Sequence, residues 1–313
     1  MENLVEPLVS VVIPTYNRGN IIENTINSVL NQTYSNLEII IVDDCSNDNT
    51  EDVVKSFHDE RIKYIKHTKN SNGSVARNTG IKNSNGEYIA FLDSDDEWFP
   101  EKIDIQLSYL LKQSTKNIVS YTQLIANRGH TQKMSSLQDI IEGEKVLDYL
   151  FVKNGTIQTS TLMLDSNLAK KVLFNEKLKR HQDWDFCNRL QKQGASFIFV
   201  KKPLTTWNLE YREDRVSNGN QYLGSLQWLN DNKHDMSKDG ERAFLAKVVA
   251  PFMGRSNKKW EAMKYVFQAI PYKILSIKDV CYILFKVLFS LKTLNGLHYK
   301  TSVVKKFISI KAK

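Results

Sequence analysis

The run Glu87-Tyr88-Ile89-Ala90-Phe91-Leu92 ends on Asp93-Ser94-Asp95-Asp96, three carboxylates within four residues. The run itself is apolar and β-prone, the composition of a buried parallel strand. Acids at its end fall at the carboxyl edge, where open α/β sheets place their ligands. Two carboxylates about 5 Å apart repel by roughly 3 kcal/mol at an effective dielectric near 20. A solvated turn relieves that repulsion, and so does a divalent cation; ligation by oxygen alone suits Mg²⁺ or Mn²⁺. A second acidic pair, Asp183 and Asp185, stands in His181-Gln182-Asp183-Trp184-Asp185-Phe186 at the opening of a helix that closes at Gly194. There a carboxylate either serves as a general base or only favours the helix N-terminus. Arg77 also sits at a helix start. A cation is unfavourable with the dipole at that end, so its position asks for an anionic partner.

The elements that must position these side chains follow from hydrophobic periodicity. Strands are predicted at 8–13, 37–42, 62–65 and 87–92. Between them, apolar residues at helical spacing (Ile21, Ile22, Ile26, Val29, Leu30; then Val53, Val54, Phe57; then Ala76, Thr79, Ile81) mark three helices. The β-α-β-α-β-α-β order predicts an α/β fold, a parallel sheet with helices on both faces. Right-handed crossovers then bring every strand end to one edge. Thr15, Tyr16, Asp44, Arg77 and the acids from Asp93 to Asp96 should converge there. Further on, strands are expected at 118–124, 159–164 and 197–200, with a polar, mobile loop over 126–144. From about residue 211 strand signals vanish, which divides the chain into a region 1–210 and a helical, basic region 211–313.

Bulk properties narrow the class. The chain has 313 residues, 41% hydrophobic and 25% charged, ordinary for a globular protein. Its formal charge of +8 is carried by residues 270–313, which hold nine lysines and one acid, Asp279. The region with the candidate chemistry is near neutral, so a nucleic-acid-binding face is not expected. Cys45, Cys187 and Cys281 are odd in number and far apart, so neither a disulfide framework nor a zinc site is expected. The N-terminal residues lack a signal-peptide pattern, and no apolar run is long enough to span a bilayer. A cytoplasmic protein is expected. The stretch Val280-Cys281-Tyr282-Ile283-Leu284-Phe285-Lys286-Val287-Leu288-Phe289 is very apolar and ringed by lysines. It reads either as a packed helix with a solvated basic rim or as a peripheral anchor on anionic lipid.

Five ordered segments carry a family resemblance. Val9-Ser10-Val11-Val12-Ile13-Pro14-Thr15-Tyr16-Asn17-Arg18 resembles the opening of the inverting family 2 glycosyltransferases of GT-A fold. Val42-Asp43-Asp44-Cys45-Ser46-Asn47-Asp48, Ala76-Arg77-Asn78-Thr79-Gly80 and Leu92-Asp93-Ser94-Asp95-Asp96 resemble their next three motifs, the last being the DxD motif. Gln182-Asp183-Trp184-Asp185 resembles the late acidic motif, with glutamine in place of the usual first glutamate.

The resemblance implies a GT-A (nucleotide-diphospho-sugar transferase) fold with a mostly parallel central sheet and a helical C-terminal addition. It also implies roles. Pro14, Thr15, Tyr16 and Asn17 would cradle the donor nucleotide, with Asp44 accepting from a base N–H and Arg77 meeting the diphosphate or a neighbouring carboxylate. Asp93, with Ser94 beside it, would meet the ribose, and Asp95 would hold Mn²⁺ or Mg²⁺. Asp183 would be the general base. Asp96 either orients the donor or is a solvated neighbour, Trp184 either stacks on an acceptor sugar or fills the core, and Asp185 either serves the helix or supports the site. The implied activity is sugar transfer from a nucleotide-sugar, expected to be UDP-linked, to a glycan or lipid-linked glycan in bacterial surface polysaccharide assembly. The implied place is the inner face of the cell membrane. Two rivals remain open at this point: a sugar nucleotidyltransferase, which would want a glycine-rich phosphate loop after the first strand, and a catalytically degenerate binding subunit.

Overall fold

Strand β1 (Val9–Thr15) is buried along its whole length, and its alternate residues face two different layers. Val9, Val11 and Ile13 pack with Ile22, Ile26 and Val29 of helix α1 (Ile22–Leu30), apolar positions one turn apart that form a single stripe. Val12 faces the opposite layer, where α3 (Gly73–Lys82) lies across the sheet. Strand β2 (Leu37–Asp43) repeats the division: Ile39 and Ile41 join the α1 layer, Ile40 and Val42 join Ala76 of α3. The computed structural model describes residues 6–115, 117–209 and 222–289.

The sheet runs β3-β2-β1-β4-β8-β6-β9-β5, with β7 paired to β6. β3 (Ile62–Lys66), β2, β1 and β4 (Tyr88–Phe91) are mutually parallel, as the β-α-β repeat predicts. Beyond β4 the sheet becomes mixed. β8 (Leu162–Asp165) runs antiparallel to β4 and to β6 (Ile118–Asn127). β9 (Ser196–Asn208) runs parallel to β6, and β5 (Glu97–Trp98) antiparallel to β9. The antiparallel β8 therefore begins at the edge where β4, β6 and β9 end. A mobile loop was expected over 126–144, but part of it is ordered: β7 (Gln132–Met134) pairs with the end of β6. The expected strand at 159–164 opens instead as a 3₁₀ turn, Thr159–Thr161.

Two compact units divide the chain, Met1–Gly143 with Gly155–Glu210, and Glu144–Asn154 with Tyr211–Lys313. The sequence offered no reason to separate 144–154 from the first region. Helix α5 (Val146–Phe151) belongs to the second unit because Phe151 packs edge-on against Trp228 and Phe244. Asp148 also accepts from the N–H and hydroxyl of Ser237, 2.9 and 2.8 Å away. The rest of the second unit is helical where described, ending with α11 (Lys259–Ala269) and α12 (Ile277–Leu288).

α3 is unusual in being polar and yet buried: Ser74, Arg77 and Asn78 all lie on its inner side. Gly80 lets it sit that close. A Cβ there would stand 2.3 Å from Val12 Cγ1, inside β1's fully buried row. Gly80→Ala gains about 1 kcal/mol of helix propensity but overpacks a rigid β-branched neighbour, which costs about 1–3 kcal/mol. A net loss of stability is expected in urea unfolding; a stabilised variant would show that α3 does not press on β1.

Candidate active site

The site is built on the sheet edge where β1, β2, β4 and β9 end and β8 begins. At the end of β1, Pro14 and Thr15 are still within the strand and buried, whereas Tyr16 is 39% exposed. Thr15 Oγ1 is buried without a hydrogen-bond partner. Asn17 takes a left-handed turn (φ 51°), donates its N–H to Ser46 Oγ (2.8 Å) and accepts the N–H of Asn47 (2.9 Å). This stitches the loop after β1 to the loop after β2. Asp43 completes that turn by accepting from the Ser46 N–H and hydroxyl and from the Tyr64 hydroxyl, a structural role.

Asp44 lies at the same edge and receives three donors. The N–H groups of Ser71 and Asn72 reach it at 2.9 and 2.7 Å, and the His67 ring lies 2.8 Å away. A carboxylate offers about four acceptor sites, so these donors do not exhaust it. They hold the loop that starts α3. Asn72, the N-cap of α3, has φ 119° and ψ 165°, a conformation suited to glycine. Strain of this kind costs about 1–3 kcal/mol. It is offset by the hydrogen bond to Asp44 and by the capping bonds that Asn72 Oδ1 accepts from Ser74 and Val75.

Arg77 follows in the second turn of α3, not at the helix start that the sequence suggested. Its guanidinium donates to Asp93 Oδ1 (2.5 Å) and to Gln182 Oε1 (2.9 Å), and it lies over the ring of Phe174. The expected anionic partner is thus a carboxylate of the DxD motif. Asn78 holds the segment before the late acidic motif: its amide donates to Phe174 O and Glu176 Oε1 and accepts the N–H of Phe174. Helix α7 (Gln182–Lys192) is docked by Phe186, which stacks on Phe174 at 4.0 Å; both rings meet Phe91 of β4 edge-on. The same β4 ends in the DxD motif, so one aromatic cluster sets the helix that carries Asp183 against the acids.

Within the motif the three carboxylates have different environments. Asp93 is held by Arg77 on one oxygen and Gln158 on the other. Ser94 is buried and Asp95 is half-buried. Asp96 is fully buried and accepts from Gln158, Ser160 and the N–H of Asn208, so it is not a solvated neighbour. Burial, then the charges of Asp95 and Asp93, push its carboxyl well above the usual range, against the pull of Ser160 and Asn208.

Asp183 lies in the first turn of α7 and is half-buried. The helix dipole alone would lower its pKa. Desolvation outweighs that, and with the nearby Asp93 charge it raises the value to about 6, opposed by the Trp184 N–H and by Arg77. Trp184 stacks on His181 at 4.7 Å. Asp185 is buried and pairs with Arg189 one turn on (2.7 Å), which is support for the helix. Sequence reasoning missed His67, Gln158, Ser160 and Asn208. His67 could have been found, since it is the first residue past β3. Gln158 and Ser160 precede a strand, and reading strand ends alone passes over them.

Comparison with known proteins identifies the family. The profile of glycosyl transferase family 2 matches residues 10–172. The amylovoran biosynthesis glycosyltransferase AmsB of Erwinia amylovora is 35% identical over 237 residues, 73% of this chain and 79% of that protein. The chain belongs to glycosyl transferase family 2. The UDP-Glc:alpha-D-GlcNAc-diphosphoundecaprenol beta-1,3-glucosyltransferase WfgD of Escherichia coli is 36% identical over 167 residues, 53% of this chain and 64% of that one. TarS of S. aureus, solved with UDP, superposes with a TM-score of 0.59 at 21% identity, over 85% of this chain and 82% of that one, and shares the GT-A fold.

Arg77→Met tests the centre of the site. It removes the cation that lowers the Asp183 pKa and frees the negative charge of Asp93. Carbon-detected NMR titration should therefore place Asp183 above its value near 6. An unshifted titration would show that Arg77 does not act on Asp183. Because a quarter of the Asp93 side chain is exposed, stability should fall by about 1–3 kcal/mol, less than for a fully buried pair.

Proposed function

We propose that this glycosyltransferase moves a sugar from a UDP-sugar to a glycan or lipid-linked glycan acceptor, with inversion, in polysaccharide assembly. One observation carries the reading: Arg77 ties the DxD acid Asp93 to Gln182, the neighbour of Asp183, so donor-side and base-side motifs share one hydrogen-bonded connection. The names of AmsB and WfgD support the polysaccharide setting, WfgD's supports the lipid-linked acceptor and UDP-sugar, and the UDP bound to TarS supports the nucleotide.

In this reading Pro14 to Asn17 and Asp44 receive the nucleotide, and Asp93 and Ser94 its ribose. Asp183 accepts the proton of the acceptor hydroxyl as that oxygen bonds to the anomeric carbon. The bond from that carbon to the diphosphate breaks on the opposite face, and UDP leaves. Asp95 is the residue proposed to hold Mn²⁺ or Mg²⁺. Among the described residues no group of three or more His, Cys, Asp or Glu side chains is placed to hold a metal. One carboxylate with diphosphate oxygens is nonetheless a donor set that Mg²⁺ accepts, and Asp95, half-buried in the turn after β4, would supply the carboxylate. A cation so bound would neutralise charge on the departing diphosphate.

Asp183→Asn tests the reading. It is nearly isosteric and removes a charge that burial penalises, so stability at pH 8 should not fall and UDP affinity should persist. Transfer should drop by about 10²–10⁴-fold, while Asp185→Asn should cost much less. The base works when ionised, so wild-type kcat/KM should rise with pH up to about 6 and level off above it. Normal turnover by Asp183→Asn would overturn the assignment, and turnover absent from the wild type with every UDP-sugar would favour a binding subunit.

We also propose that the second unit meets an anionic lipid surface. Trp260, Lys264 and Phe267 follow one face of α11, with Trp260 80% exposed. Ile277, Cys281 and Leu288 follow one face of α12, with Ile277 85% exposed, and Lys278 lies beside them. Apolar residues with flanking lysines suit insertion at a charged interface. Among the described residues no helix is long and apolar enough to cross a membrane. Residues 290–313, which hold six of the nine lysines of 270–313, lie outside the described residues. Trp260→Glu with Ile277→Glu should abolish co-sedimentation with phosphatidylglycerol vesicles; undiminished binding would rule this face out.

A further inference from the structure

The geometry points to Gln158 and Ser160 as positioning residues for the donor site, acting through a closed hydrogen-bonded ring with Asp96 and Asp93. The ring can be followed atom by atom. The Asp93 N–H donates to Ser160 Oγ (3.0 Å), whose hydroxyl donates to Asp96 Oδ2 (2.7 Å). The same Asp96 oxygen accepts from Gln158 Nε2 (2.9 Å), and that nitrogen also donates to Asp93 Oδ2 (3.1 Å). The orientation of the Gln158 amide is determined from within the turn: its Oε1 accepts the Ser160 N–H at 2.8 Å, so Nε2 must face the two carboxylates. Gln158 is 6% exposed, and Ser160 and Asp96 are fully buried. None of the three can serve by meeting substrate broadly; they act on Asp93.

The arrangement explains why the motif carries a third acid. Asp96 is the shared acceptor that fixes both donors, and Asn208 closes the turn's other side by donating to Asp96 Oδ1 and Asp95 O. With Arg77 on Oδ1 and Gln158 on Oδ2, both Asp93 oxygens are fixed before any ligand arrives. A pre-set carboxylate binds without first losing rotamer freedom. Glutamine has a chemical advantage at 158: its amide donates to two acids and accepts from one amide. Glutamate would set a third carboxylate against them, and methionine would leave Asp93 Oδ2 loose.

This inference rests on the reading of Asp93 as a donor-binding carboxylate, and its test uses UDP with Mn²⁺ as the probe, measured by calorimetry on the full chain. Gln158→Met should weaken UDP binding about tenfold, the usual effect of losing one hydrogen bond to a charged group. Ser160→Ala should act in the same direction. The deciding measurement is the cycle with Asp93→Asn: if Gln158 works through Asp93, then Gln158→Met should cost little further affinity in that background. Equal losses with and without Asp93 would mean a merely structural role and overturn the proposal. So would unchanged affinity in Gln158→Met while the wild type binds UDP. A wild type that binds no UDP would overturn the donor reading itself, and this inference with it.

Discussion

One guanidinium among carboxylates organises this site. Arg77 meets Asp93 at 2.5 Å and Gln182 at 2.9 Å, and its charge opposes the rise in the Asp183 pKa. Asp93, Asp95, Asp96 and Asp183 gather at one sheet edge, and their mutual repulsion would spread them without cations. Arg77 compensates part of that repulsion from within the protein. It can do so because α3 lies close on β1, which in turn requires the missing side chain at Gly80.

The glutamine at 182 matters in this balance. A second acid there would compete with Asp93 for Arg77. A neutral partner accepts one hydrogen bond and leaves the ion pair with Asp93 intact. Desolvation raises Asp183 toward 6, which leaves it ionised at neutral pH yet more basic than a solvated aspartate. Asp185, two residues on, is instead paired with Arg189 and buried in the helix. Two similar acids thus stand in different environments, Asp183 among the charges of Asp93 and Arg77 and Asp185 paired within its own helix.

Backbone strain gathers at this edge. Asn17, Cys45, Asn72 and His181 all have positive φ, and each stands where a strand gives way to a loop or a helix begins. Asn72 is the extreme case, held by Asp44 from below and by its own capping bonds. Glycine would adopt this conformation without the strain. Here the asparagine adds what glycine lacks, a side chain that caps α3 and also donates to Glu176 O.

The sequence by itself determined the first four strands, their parallel order and the edge at which Thr15, Asp44, Arg77 and Asp93 meet. Those features depend on local periodicity and on right-handed crossovers, which neighbouring residues carry. It also located Asp183, because a short acidic motif survives as a pattern. Only the tertiary structure decided the rest. The role of Asp96 depended on burial by a turn more than sixty residues away, and no local pattern records that. Gln158 and Ser160 were hidden because β8 is antiparallel, so that its beginning rather than its end lies at the site. β9 extends to Asn208 because pairing with β6 continues past the apolar stretch at 197–200 that periodicity can detect. Hydrogen bonding between distant segments, rather than side-chain alternation, sets these boundaries.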